Sequence, residues 1–406
     1  MKSLSKIFPQ INRLATICAA AAISLAAYAD SIPVSPWKNL TWKVGAELSG
    51  GYVPGTNAYL KGMNSLEKKI DTSFSGGIRG AFSLNPYSAE GMAYRGLYQG
   101  IGIDARSFLS ESLLGTPWSV YAFQGAPIVN ITPRLSLDYE WKFGAAFGWK
   151  HYYGEYDFGY DNSDNTAVST PVTAHMALGL KFRYALSTVV KLSAGIEATH
   201  FSNGNTSYPN GGVNTLGLAV GIEYRLTGPT ETPTPDTAIS ELADRKRMMY
   251  DITLFGGWRK RGMDLDGAPF LCSGKFGVAG VQLAAFRKFQ RWFAAGASLD
   301  MMYDESAGLA RYRAEDTYGD NTKFYRPPFG KQLSVGLSAH AQLTAPIFTI
   351  DAGIGFDMLK PDGDKRFYQS LTLKTFLTDW LYLNVGYRLG DFKDPQNLML
   401  GFGVRL

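Results

Sequence analysis

From residue 40 onward, apolar and polar side chains alternate in segments of about ten residues. Along 191–203, Leu192, Ala194, Ile196 and Ala198 fall on one face, and Lys191, Ser193, Gly195, Glu197 and Thr199 fall on the other. The next segment repeats the pattern, with Leu216, Leu218, Val220, Ile222 and Tyr224 set against Thr215, Gly217, Ala219, Gly221 and Glu223. The C-terminus sets Leu398, Leu400, Phe402, Val404 and Leu406 against Met399, Gly401, Gly403 and Arg405. A period of two is the period of a β-strand, and faces this unequal need one apolar and one polar environment. A soluble sandwich and a membrane barrel both offer that pair.

Segment length and loop rhythm favour the barrel. Strands are predicted near 40–50, 68–84, 97–109, 118–125, 134–149, 173–186, 189–202 and 213–226, then near 248–260, 275–288, 291–303, 331–343, 347–358, 366–377, 381–389 and 398–406. Tilted membrane strands need about 9–11 residues. In the later part every second connection is tight (Ser187-Thr188, Phe289-Gln290, Thr344–Pro346, Thr378–Trp380), while the interleaved ones, 150–172 and 304–330 above all, are long and polar. Short turns at one end and long loops at the other mark outer-membrane barrels. The fold class read here is therefore all-β: an antiparallel transmembrane β-barrel of about 16 strands in two eight-stranded repeats.

The repeats meet at a Pro/Thr-rich linker, 227–247. Leu178-Gly-Leu-Lys181 parallels Leu371-Thr-Leu-Lys374, and Pro209-Asn210 before one final strand parallels Pro395-Gln-Asn397 before the other. That likeness reads as an internal duplication. Each half is expected to close on itself, with 213–226 pairing with 40–50; pairing of 213–226 with 248–260 would mean one fused barrel. The register expects Ala198, Leu218 and Phe402 on the lipid side and Glu197, Arg183 and Arg405 inside.

Residues 1–29 read as a Sec signal peptide: Lys2, Lys6 and Arg13 precede the apolar run Leu14–Ala27, and Ala27-Tyr28-Ala29 supplies a cleavage site. Its removal takes three of 40 Lys+Arg and none of 35 Asp+Glu, leaving a balance of +2 and no basic character that suggests nucleic acid. Cys18 leaves with the leader, so Cys272 is alone, and neither an intramolecular disulfide nor a cysteine metal site is expected. The four His, 151, 175, 200 and 340, are too scattered for a zinc motif, and no phosphate-binding loop is present. His175 and His340 fall on polar faces and read as lumen hydrogen-bonders, and His151 as interfacial. Trp118, Trp258, Trp292 and Trp380 read as an aromatic girdle. No metal or other cofactor is implied.

One cluster breaks the pattern. His200 and Ser202 continue the apolar face of their strand, and Asn214 continues the apolar face of the next. All three point to lipid at the long-loop end, where a polar group costs roughly 1–4 kcal/mol depending on depth. A histidine two residues from a serine on one face is placed to take the hydroxyl proton.

The segment His200-Phe-Ser202-Asn203 followed by Pro209-Asn210-Gly-Gly212-Val-Asn214 resembles the lipid A 3-O-deacylase family of outer-membrane barrels, whose motif is His-x-Ser-Asn and then Pro-Asn-x-Gly-x-Glu at the same spacing. The resemblance covers about 40–226 and is specific around 197–226. It implies Ser202 as nucleophile, His200 as general base, and Asn203, Asn210 and Gly212 as oxyanion-hole candidates. It also implies hydrolysis of an acyl ester of lipid A, or a related glycolipid, in the outer leaflet of the bacterial outer membrane. The chain departs from the family at Asn214, which stands where the acidic third member belongs. Glu155, Asp157 and Asp161 in the preceding long loop are alternative carboxylates, whereas Glu197 and Glu223 lie on lumen faces. The second repeat places Asp391 and Lys393 near the positions of His200 and Ser202, so it reads as catalytically empty. A rival reading is a non-catalytic structural, binding or pore-forming barrel of the same stock.

Overall fold

The computed structural model describes residues 40–86, 89–152, 162–228, 248–265, 268–272, 274–312, 325, 327–360, 365–392 and 394–406. The leader, most of the linker, Lys393 and the candidate carboxylates Glu155, Asp157 and Asp161 lie outside them.

The first eight strands are β1 (Thr41–Tyr52), β2 (Thr72–Ser83), β3 (Tyr98–Ser107), β4 (Gly115–Thr132), β5 (Leu135–Trp149), β6 (Val172–Ala185), β7 (Val190–Ser202) and β8 (Val213–Arg225). Each pairs antiparallel with the next, and β8 returns to β1 from Lys43↔Arg225 to Tyr52↔Leu216, closing a barrel. The second half begins with β9 (Met248–Arg259), followed by a small hairpin of β10 (Gly262–Leu265) and β11 (Ala268–Leu271). It continues through β12 (Phe276–Lys288), β13 (Phe293–Asp304), β14 (Leu333–Thr344), β15 (Phe348–Leu359), β16 (Phe367–Phe376), β17 (Leu381–Gly390) and β18 (Asp394–Arg405). Strand β18 pairs with β9 from Gly401↔Phe255 to Arg405↔Asp251, so the second half closes as its own eight-stranded barrel. Strand β8 does not pair with β9, which excludes one fused wall.

The wall has the expected register. Ala198 is exposed, as are Leu218 (65%) and Phe402 (53%), while Glu197 and Arg183 are buried inside and Arg405 bonds inward to Asp251 and Gln342. Trp118, Trp258, Trp292 and Trp380 are all exposed. Some bounds differ from the expectation. Strand β2 starts at Thr72 and β18 at Asp394, and β4 outruns the expected 118–125 at both ends, with register shifts at Pro127/Val129 and Asn130/Thr132 that let its ladder with β5 continue to Thr132. The β10–β11 hairpin departs from the expectation, because its two strands of four residues each are too short for a period of two to mark them.

Eight-stranded barrels are narrow enough for side chains to fill them, and here the filling is ionic. In the first barrel Lys181 on β6 lies 2.7 Å from Glu47 on β1 and 2.6 Å from Glu140 on β5. Lys142 adds contacts to Glu47 (2.5 Å) and Glu197 (2.8 Å), and Arg79 to Glu47 (2.9 Å) and Glu140 (2.6 Å). In the second barrel Lys374 on the sixth strand lies 2.9 Å from Asp251 on the first and 2.7 Å from Asp351 on the fifth. The two lysines are the pair that the sequence parallel aligned. Each bridges carboxylates on the same two strands of its barrel.

Above this layer, at the long-loop end of the first barrel, an apolar plug forms. It includes Val53, Tyr59, Leu60, Ile70, Phe108, Leu113, Trp149, Val168, Phe201 and Val213. The inward side chains of β7 and β8 are thus anchored just where their outward neighbours form the polar cluster.

Removing one partner of a buried ion pair strands the other charge and costs about 3–5 kcal/mol. Lys181→Met and Lys374→Met should each lower the unfolding free energy of the refolded protein in detergent by that order, read as a lower denaturant midpoint at unchanged slope. Unchanged midpoints in both would mean that the lumen pairs do not hold the walls together.

Candidate functional site

Strands β7 and β8 present the cluster directly. In their ladder His200 stands opposite Asn214, and Phe201 opposite Val213, so cross-strand pairing itself brings the imidazole and the amide together. His200 Nδ1 lies 2.7 Å from Asn214 Oδ1. With the carbonyl oxygen as acceptor, Nδ1 carries the proton and Nε2 keeps its lone pair, the tautomer a general base needs. His200 and Asn214 are half-buried and Ser202 is buried.

Ser202 Oγ is held by the loop that follows it. Asn210 Nδ2 donates to it at 3.1 Å, the Gly204 N–H donates at 3.1 Å, and the hydroxyl faces Asn210 Oδ1 at 3.3 Å. Among the described residues no hydrogen bond joins the His200 ring to Ser202 Oγ, although both lie on one face of one strand. In active sites, hydrogen bonds between a base and its nucleophile are often open before substrate arrives.

The three oxyanion-hole candidates separate by what their donors already do. Asn210 points its amide at Ser202 Oγ. Asn203 spends its side-chain Nδ2 on Ser169 Oγ (2.8 Å) and Ser207 O (2.7 Å), and its backbone N–H on Asn210 Oδ1 (3.3 Å). Gly212 spends its N–H on Ala167 O (2.9 Å) and accepts from Asn57 Nδ2 (3.0 Å). Asn203 and Gly212 therefore build the loop, and Gly204 supplies the second donor near Ser202. The sequence held a signal for this in Asn203-Gly204, a dipeptide that favours a tight turn, and Gly204 sits at φ +65°. The loop is also fixed by the preceding long connection, since Gly211 N donates to Thr166 O at 2.8 Å. No local pattern in the sequence ties 166–169 to 203–212.

The remaining histidines divide. His175 does face the lumen, but it is not the hydrogen-bonder expected there: neither ring nitrogen has a partner among the described residues, and the ring stacks on Phe201 at 4.9 Å and meets Tyr121 edge-on at 5.2 Å. The aromatic plug, not the ionic layer, reaches its height. His340 is hydrogen-bonded in the second lumen, and in a suggestive way. Ser338 Oγ lies 2.8 Å from His340 Nε2, and His340 Nδ1 lies 2.6 Å from Asp351 Oδ1. The serine, however, gives its proton to Asp300 Oδ2 at 2.6 Å, and the whole group is buried in a filled barrel. That hydroxyl is neither activated nor reachable. Glu47, Glu140 and Glu197 likewise cluster closely enough for a cation, but the Lys142 and Lys181 ammonium groups already sit among them.

The second barrel has no counterpart of the loop at 203–212. Gly390 pairs with Asp394, so the matching connection is 391–393 alone, with Asp391 (φ +48°) and Phe392 (φ +61°) making the turn.

A closed barrel with an apolar outer wall, an ionic interior and a polar cluster on the outward faces of two neighbouring strands defines a membrane barrel. Two family models match the chain: lipid A 3-O-deacylase (PagL) over residues 82–223, and acyloxyacyl hydrolase, C-terminal domain, over 248–406. Together they take in most of the chain, which belongs to the lipid A 3-O-deacylase family of outer-membrane β-barrels. Among solved structures, Neisserial surface protein A is similar over 47% of this chain and 100% of its own, at 12% identity and a TM-score of 0.30. The siderophore receptor PirA from Pseudomonas aeruginosa is similar over 90% and 80%, at 8% identity and a TM-score of 0.27. No curated protein matches the chain.

Gly212 sits at φ +67°, and a Cβ there would meet His200 Cε1 and Phe201 O at 3.1 Å. Gly212→Ala should cost about 1–2 kcal/mol through the left-handed backbone alone and should displace the His200 ring. The shift is readable in the imidazole NMR signals of the protein in micelles; an undisturbed ring would show that Gly212 is not there to make room for it.

Proposed function

We propose that this chain hydrolyses an acyl ester of lipid A, or of a closely related outer-leaflet glycolipid, with Ser202 as nucleophile and His200 as general base. The observation that carries the reading is an outward-facing His200–Asn214 pair beside a serine whose Oγ is met by two N–H donors, at the long-loop end of a lipid-facing wall. Long loops face the cell exterior in such barrels, which puts the cluster at the level of the outer leaflet, where lipid A resides. Export is assigned to the Sec route by the leader at 1–29.

In this mechanism Ser202 Oγ attacks the ester carbonyl carbon while its proton passes to His200 Nε2. The negative charge moves to the carbonyl oxygen, and the Gly204 N–H and the Asn210 amide, which meet Ser202 Oγ in the resting site, would turn to it as the new bond forms. Collapse of the tetrahedral intermediate breaks the bond to the sugar oxygen, which leaves as the alcohol with the proton from His200. Water then cleaves the acyl-serine by the same steps, releasing the fatty acid. Asn214 holds the ring in the required tautomer but brings no negative charge to the imidazolium that forms. In a serine protease the change from acid to amide lowers turnover about 10⁴-fold. Turnover slower than that of a chain with Glu at this position is therefore expected.

The second reading, a non-catalytic barrel, draws on two observations: the amide at position 214, and the absence of a His200–Ser202 bond among the described residues.

Lipid A from cells with and without the gene, compared by mass spectrometry, tests the activity: loss of one acyl chain is expected only when the gene is present. With purified protein, Ser202→Ala and His200→Ala should each abolish fatty-acid release without altering heat resistance, and the double variant should lose no more than either, since the two act as a unit. Asn214→Ala should cost less, and Asn214→Glu should keep or raise activity. Release that survives Ser202→Ala places the nucleophile elsewhere; an inactive wild type favours the scaffold.

A further inference from the structure

The loop that holds Ser202 is gripped from outside its own barrel. Asn205 Nδ2 donates to the Gln396 carbonyl oxygen of β18 at 3.0 Å. The same carbonyl accepts from Arg259 at the end of β9, and the Gln396 side-chain oxygen accepts from Arg388 Nε at 2.7 Å. The next residue after Arg259 completes the grip, for the Lys260 N–H donates to Thr206 O at 2.9 Å. Leu398, an outward residue of β18, is half-buried, and a Cβ built on Gly204 would come 2.9 Å from its Cδ1. On the other side of the loop, a Cβ on Gly262 of β10 would fall 1.9 Å from the Tyr208 ring. Consecutive residues 204, 205 and 206, and then 208, all touch the second barrel or its hairpin. Gly204 is also the residue whose N–H reaches Ser202 Oγ.

We propose that the second barrel is a positioning element for the first: β18 and the start of the β9–β12 connection clamp the loop 204–208, and so aim the Gly204 N–H and Ser202. Its bearing on turnover rests on the reading of Ser202 given above, but the clamp itself can be read without turnover. The arrangement gives the second barrel a role that needs no catalytic residues. It accounts for the short turn at 391–393, since a long loop there would occupy the space where the first barrel's loop lies against β18. It also accounts for Gly262, where any side chain would collide with Tyr208.

Three full-chain variants test it, none within the His200, Ser202 and Asn210 machinery: Asn205→Ala, Leu398→Ala and Gly262→Ala. The first two remove grip, and the third adds one methyl group on a hairpin outside either wall. Hydrogen–deuterium exchange of the peptide covering 203–212 should quicken roughly tenfold in each, with the barrels still resistant to heat. On lipid A, kcat should fall about tenfold while KM holds, because the loss is of geometry at the nucleophile and not of substrate contacts; Leu398→Met should recover most of it. Unchanged exchange in all three variants overturns the clamp whether or not the chain hydrolyses lipid A. Faster exchange with unchanged kcat overturns its role in positioning, and a fall in kcat that comes with lost heat resistance in every variant reduces the contact to a structural one. An inactive Ser202→Ala protein with wild-type exchange separates failure of the chemistry from failure of the clamp.

Discussion

A strand in lipid has no water to satisfy its backbone, so every N–H and C=O in the wall must find a partner in a neighbouring strand. That constraint governs the rest of this molecule. It requires β8 to return to β1 and β18 to β9, it fixes the pleat of each strand against both neighbours, and so it decides which side chains meet lipid. Once Glu197 and Thr199 are inside, His200 and Ser202 have no choice but to face outward. The cross-strand partner of His200 is set by the same ladder, which delivers Asn214 to its Nδ1 with no loop involved.

The shared plan of the two interiors supplies the second constraint. Both barrels place a lysine on the sixth strand between carboxylates of the first and fifth. Removing one partner of a charge pair buried in so narrow a space strands the other, which ties these side chains to one another. One barrel has a loop there, with Asn203, Asn210 and Gly212 knitted to the neighbouring connections; the other joins the same two strands through 391–393. The two halves are alike in the placing of their paired lysines and differ in this loop.

The wall could be read from the sequence because a period of two leaves only two faces, and Lys43, Glu47, Lys181 and Arg183 reveal which one is inside. Closure into two barrels was legible in the count of strands and the Pro-rich joint. The candidate residues His200, Ser202 and Asn214 were legible by their place on the wrong face. Other parts were not. Gly204 enters the site through its backbone N–H, which has no residue-specific signature, and Asn203 carries no mark that its amide is committed to Ser169 and Ser207. His175 was misjudged because alternation gives a side chain's direction but not its height along the barrel, where ions give way to aromatic rings. The contact of β18 with 204 and 205 joins residues almost two hundred positions apart and leaves no periodic trace.

The outward placement of the cluster also sets how anything can reach it. On the reading that His200 and Ser202 act on a lipid of the outer leaflet, the substrate neither falls in from solution nor threads through the filled lumen; it arrives sideways, sliding within one leaflet. Encounter is then a two-dimensional search, governed by how densely the leaflet is packed and how freely its lipids change neighbours. Stirring or diluting the surrounding water would leave that search untouched, whereas stiffening the leaflet would slow it.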